Sequence, residues 1–74
     1  MIFKAVKKVI VNTFDEADES ITLGTNLSRD LGLDHQDVCD LVCEVEDIFD
    51  IHIPDEEIEQ FETVADIVNY VEDH

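Results

Sequence analysis

Positive charge is scarce in this sequence. Four Lys and Arg face 20 Asp and Glu, a net charge of −16 at pH 7. All four bases (Lys4, Lys7, Lys8 and Arg29) precede residue 30. From Asp34 to His74 there are 15 acids and no Lys or Arg. Such a surface repels nucleic acid and anionic lipid, so no nucleic-acid partner is expected, and it steers basic protein surfaces toward itself. Solubility alone would explain many acidic chains, but the one-sided distribution favours a basic protein partner. Cysteine is scarce too: Cys39 and Cys43 do not make a disulfide framework, and a reducing, cytoplasmic setting is expected. No apolar run approaches the roughly 18 residues of a membrane span, so no membrane insertion is expected. Lys4, Lys7 and Lys8 interrupt the N-terminal apolar stretch, so it does not read as a signal peptide. Repeats, linkers and low-complexity segments are missing, and no part reads as a strand pair.

Apolar residues nevertheless make up 45% of the 74 positions, enough for a folded chain despite the charge. The length fits one domain, residues 1–74, expected as a monomer. A chain this short removes only about 60% of its unfolded surface from water, which leaves little room for a deep enzyme cleft.

Ile2, Phe3, Val6, Val9, Ile10 and Phe14 recur at helical spacing and predict an amphipathic helix over 2–14. Residues 15–26 are polar, with Gly24 as a breaker, and read as a long loop pinned by Ile21, Leu23 and Leu27. Asp34 is a good N-cap, and Asp37 three residues later completes a capping-box pattern. A second helix should run from there to about Asp50, with Val38, Leu41, Val42, Val45, Ile48 and Phe49 as its apolar stripe. Ile51-His52-Ile53-Pro54 is extended, because the residue before proline avoids the α region. Asp55-Glu56-Glu57 opens a short third helix, with Ile58 and Phe61 facing inward. Thr63 with Asp66 caps a last helix that buries Val64, Ile67, Val68 and Val71. The fold is therefore all-α: a bundle of three main helices and one short one, with a long loop between the first two.

Several fragments resemble one family in order and spacing. They are Val6-Lys7-Lys8, Asp30-Leu31-Gly32 before helix two, Phe49 through Asp55-Glu56-Glu57, and Thr63-Val64 with Asn69-Tyr70-Val71. The most specific is Ile53-Pro54-Asp55-Glu56, about 20 residues beyond Asp34. Together they make the chain resemble the acyl carrier proteins over nearly its whole length. In that family, a Leu-Gly-x-Asp-Ser-Leu motif carries 4′-phosphopantetheine on its serine, in the first turn of helix two, where free backbone N–H groups support a phosphate. The corresponding stretch here is Leu31-Gly32-Leu33-Asp34-His35-Gln36. The resemblance puts His35 in the serine's place and Gln36 in that of the leucine. An imidazole cannot form the serine phosphodiester, so no cofactor is expected at this residue. Ser20 and Ser28 are the chain's serines, and Glu19-Ser20-Ile21 faintly echoes the motif without a helix directly after it. An acyl or prosthetic group held at Ser20 or at a cysteine is the alternative.

The resemblance further implies a docking face for basic surfaces of carrier-protein-dependent enzymes in fatty-acid or polyketide-type synthesis. Gln36, Asp40, Cys43 and Asp47 recur at i, i+4, i+7 and i+11, opposite or beside the buried stripe. With Asp34, Asp37, Cys39 and Glu44 they form the expected docking set. Cys39 and Cys43 stand where the family usually has aliphatic residues, and Gln36 weakens the apolar part of docking. A third reading is a metal- or redox-responsive module using His35, Cys39 and Cys43, at i, i+4 and i+8. Eight residues of helix span about 12 Å, too far for one ion to reach all three, and a fourth ligand is missing. Two small semi-buried cysteines and an exposed histidine are the simpler account. Catalysis is not expected. His35 could approach Cys39, but surrounding carboxylates disfavour a thiolate, and no orienting group is evident. His52 and His74 carry no motif.

Overall fold

Four α-helices surround one apolar core in the computed structural model, which describes residues 1–74. Helix α1 spans Ile2–Phe14, and its apolar stripe buries Val6, Val9 and Ile10. Helix α2 spans His35–Phe49 and buries Val38, Leu41, Val42 and Val45. The short α3 (Asp55–Ile58) contributes Ile58, and α4 (Val64–Asp73) contributes Val64, Ile67, Val68 and Val71. Helix α1 packs against both α2 and α4, while α3 leans on α2. Phe3, Phe14, Phe49 and Phe61 pack half-buried around this core. No helix is long and apolar enough to cross a membrane.

Both predicted capping boxes form. Asp34 accepts from the Asp37 backbone N–H, and the Asp37 carboxylate accepts from the Asp34 N–H. Thr63 and Asp66 make the same reciprocal pair at α4. The opposite ends are less well matched. Asp15 and Asp50 close α1 and α2 with φ of 56° and 54°, in the left-handed region usually given to glycine. No helix has a basic residue in its last turn, so the negative ends of the helix dipoles meet acids instead of cations.

The long loop is ordered by two means. Ile21, Leu27 and Leu33 insert into the core, as does Thr25, whose hydroxyl accepts the Thr22 N–H at 2.8 Å and donates to the Ser20 carbonyl. Its backbone also runs along the start of α4. Leu27 N–H donates to the Glu62 carbonyl, Val64 N–H to Thr25, and Ala65 N–H to Leu23. A single β-bridge, Asn26 to Thr63, marks this seam. Within the loop, Asp18–Ser20 forms one 3-10 turn that the sequence did not suggest. Gly32, at φ 69°, supplies the left-handed step that turns the chain into Leu33 and the α2 cap.

Two expected core positions are exposed. The sequence pattern points to Leu23 as a loop anchor, but its side chain is 47% exposed; its contribution to the seam comes through its carbonyl. Helical spacing puts Ile48 in the α2 stripe, but it is 51% exposed. At about 100° per residue it falls to the edge of the stripe marked by Val38, Val42, Val45 and Phe49. There it lines a groove against α1 with Ala5, Val9 and Glu44.

Candidate functional site at the start of helix α2

The first turn of α2 is held from below by Leu33, which is buried and whose N–H donates to the Leu27 carbonyl. Above it, the capping box fixes Asp34 and Asp37 by contacts of 2.9 and 3.2 Å. His35 is the first residue of the helix and is exposed. The local sequence therefore builds a capped platform and leaves its leading side chain exposed.

The remaining expected site residues divide by helical angle. Gln36, Asp40, Cys43 and Asp47 are all exposed and form one ridge opposite the buried stripe. Gln36 Nε2 donates to Asp40 Oδ1 at 3.1 Å, which ties the polar end of the ridge to its first acid. Glu44 departs from the ridge: it is exposed, but turned toward the α1 groove beside Ile48. Asp37 is half-buried and engaged in the cap. Cys39 lies on the other flank, half-buried and packed against the core, with its Sγ 3.6 Å from His35 Nε2.

Electrostatically the ridge is unopposed. Lys7 pairs with Asp18 at 2.7 Å and His52 Nδ1 lies 3.6 Å from Glu46 Oε2, and neither contact involves Asp40, Glu44 or Asp47. Cys39 and Cys43 are both free thiols. No group of three or more His, Cys, Asp and Glu side chains is arranged to hold a metal ion. The set His35, Cys39 and Cys43 thus reduces to one contact, between the first two.

Sequence reasoning missed Glu46 as an individual. Its Oε2 accepts the Ile53 backbone N–H at 2.6 Å and lies 3.6 Å from His52 Nδ1. It pins the α2–α3 connection to the flank of α2 that also carries His35 and Cys39. No spacing rule links a helix residue to a backbone amide seven positions later in an irregular connection.

Comparison with known proteins fits this geometry. Residues 4–71 match the phosphopantetheine attachment site family. The acyl carrier protein of Phytoplasma australiense is 40% identical over 72 residues, covering 97% of this chain and 95% of that protein. The acyl carrier protein of Lactobacillus acidophilus is 38% identical over 73 residues, covering 99% and 91%. That of Onion yellows phytoplasma is 42% identical over 71 residues, covering 96% and 93%. The family's 4′-phosphopantetheine needs an alcohol oxygen for its phosphodiester. His35, Gln36, Asp37 and Val38 of the first turn offer none, and α2 contains no Ser or Thr along its length. Of the loop serines, Ser20 is exposed in its 3-10 turn and donates to the Ala17 carbonyl at 2.7 Å, with no α-helix starting behind it. The α2 residues do not fit the attachment, although the chain around them fits the fold. With family similarity running through all four helices, and with the capped α2 start and the acidic ridge beyond it, the chain belongs to the acyl carrier protein family, whose members are carriers and not enzymes.

Proposed function

We propose that this chain is an acidic docking partner of carrier-protein-dependent enzymes, acting in fatty-acid or polyketide-type synthesis without a serine-linked 4′-phosphopantetheine arm. The observation that carries the reading is the first turn of α2. It keeps the reciprocal cap and the exposed leading residue, but the side chain there is an imidazole. The ridge of Gln36, Asp40, Cys43 and Asp47 supplies the contact surface, with Glu44 and Ile48 at its α1 border. Basic enzyme surfaces are the complementary partners, because the ridge acids have no cation of their own. Each solvated pair contributes about 0–1 kcal/mol, so several must act together. The same charge works against self-association and favours a monomer. Free Cys39 and Cys43 suit a reducing, cytoplasmic setting.

Two measurements test this. Incubated with coenzyme A and a broad-specificity phosphopantetheinyl transferase, the chain should keep its intact mass, and a stoichiometric adduct would overturn the armless reading. His35→Ser should regain modification, at reduced efficiency because Gln36 stands in the leucine's place. For docking, Asp40→Lys with Asp47→Lys should weaken association with a basic carrier-protein enzyme far more than Glu72→Lys with Asp73→Lys. All four positions are exposed, so the fold should survive both. Equal weakening would mean that net charge alone matters and that no docking face exists.

A second reading, a carrier whose acyl group is held at another residue, is favoured by one observation: the contact between Cys39 and His35.

A further inference from the structure

Cys39 and His35 bring a thiol and an imidazole together, with Sγ and Nε2 3.6 Å apart on one flank of α2. The two side chains contribute differently. Cys39 is half-buried against the core, which restrains its side chain. His35 is exposed, so a ligand can reach the pair from solvent. Helical side chains lean toward the N-terminus, which aims Sγ at the open start of α2. Cys43, one turn further on, is also a free thiol and is exposed, but it has no imidazole beside it. The molecule thus carries its own reference thiol.

No standing thiolate is needed if the imidazole removes the proton while the sulfur attacks, as general bases do for nucleophiles within hydrogen-bond reach. We propose that Cys39, with His35 as its base, accepts an acyl group from an acyl thioester, so that the cargo sits directly on the protein. Cys39 Sγ attacks the thioester carbonyl carbon while its proton passes to His35 Nε2. The tetrahedral adduct collapses with cleavage of the original carbon–sulfur bond. The departing thiolate takes the proton back from His35. One thioester forms and one breaks, and no oxidant or reductant enters. The inference rests on the acyl-carrier reading above and not on enzyme docking.

The test uses the full chain and butyryl-coenzyme A as donor, followed by intact mass and peptide mapping. The wild type and Cys43→Ala should gain one butyryl group on Cys39, removable by neutral hydroxylamine. Cys39→Ala should not acquire one on Cys43 at a comparable rate. His35→Ala and His35→Gln should slow acylation at least tenfold while keeping the wild-type helical signal. No adduct, equal labelling of the two cysteines, or a rate unchanged in both His35 variants would overturn the proposal. Because the donor is a small molecule, that failure would leave docking untouched, and loss of docking on charge reversal would leave acylation untouched.

Discussion

Truncating Asp34 asks whether the platform beneath His35 is held by its reciprocal cap. Asp34 Oδ1 accepts the Asp37 N–H at 2.9 Å, and Asp37 Oδ2 accepts the Asp34 N–H at 3.2 Å. Asp34→Ala removes the first acceptor and leaves an amide of the opening turn to water. Loss of an N-cap of this type costs about 1 kcal/mol, within a range of roughly 0.5–2. For a domain of 60–100 residues that corresponds to a fall in Tm of about 4–8 °C. A second effect opposes it: the substitution also removes one of 20 acids from a chain of net charge −16. Salt separates the two, because the Debye length falls from about 10 Å at 0.1 M to about 3 Å at 1 M. Asp34→Asn keeps the cap acceptor without the charge. Followed by far-ultraviolet circular dichroism in about 1 M salt, Asp34→Asn should melt with the wild type and Asp34→Ala about 4–8 °C below both. If the two variants melt together there, the cap contributes nothing to stability.

Three further outcomes are expected. Glu46→Ala leaves the Ile53 N–H without its acceptor and should cost about 1–3 kcal/mol in urea unfolding, whereas Glu46→Gln should restore most of it. Asp50→Asn keeps a residue tolerated at φ 54° and removes a negative charge from the negative end of α2; Tm should rise, by the equivalent of about 0.3–1 kcal/mol at low salt. The wild type should itself gain Tm from low to physiological ionic strength, as screening relieves repulsion among acids that have few cationic partners. A Tm indifferent to salt would contradict that account.

The helices were legible in the sequence wherever a strong period coincided with an end signal. Both capping boxes and the bounds of α2 follow from side-chain chemistry acting within a few residues. Ile48 was misplaced because an apolar residue at the edge of a stripe satisfies the same spacing as one at its centre; only the packing of α1 decides between burial and a groove. Leu23 was misplaced because the loop is tied to α4 through backbone atoms, which every residue type carries. At the site, the i, i+4 spacing already brought His35 near Cys39. It could not show that Cys39 is half-buried while Cys43 is exposed, since that depends on where α2 rests on the core.

The seam between the loop and α4 has a consequence for how the molecule breathes. Its bonds join residues far apart in the chain: Leu27 with Glu62, Thr25 with Val64, and Leu23 with Ala65. The Leu33 amide, bonded to the Leu27 carbonyl, extends it to the threshold of α2. Buried Leu27 and Val64 sit within this run of bonds, so parting one bond disturbs the packing that its neighbours share. In hydrogen–deuterium exchange, the Leu27, Leu33, Val64 and Ala65 amides should therefore open together as one cooperative unit, although two of them belong to a segment without regular structure. Loosening the Thr63 cap would then speed exchange at Leu33, immediately beneath His35. A change at the fourth helix would be felt at the start of the second, carried by the seam's backbone bonds and the buried side chains among them.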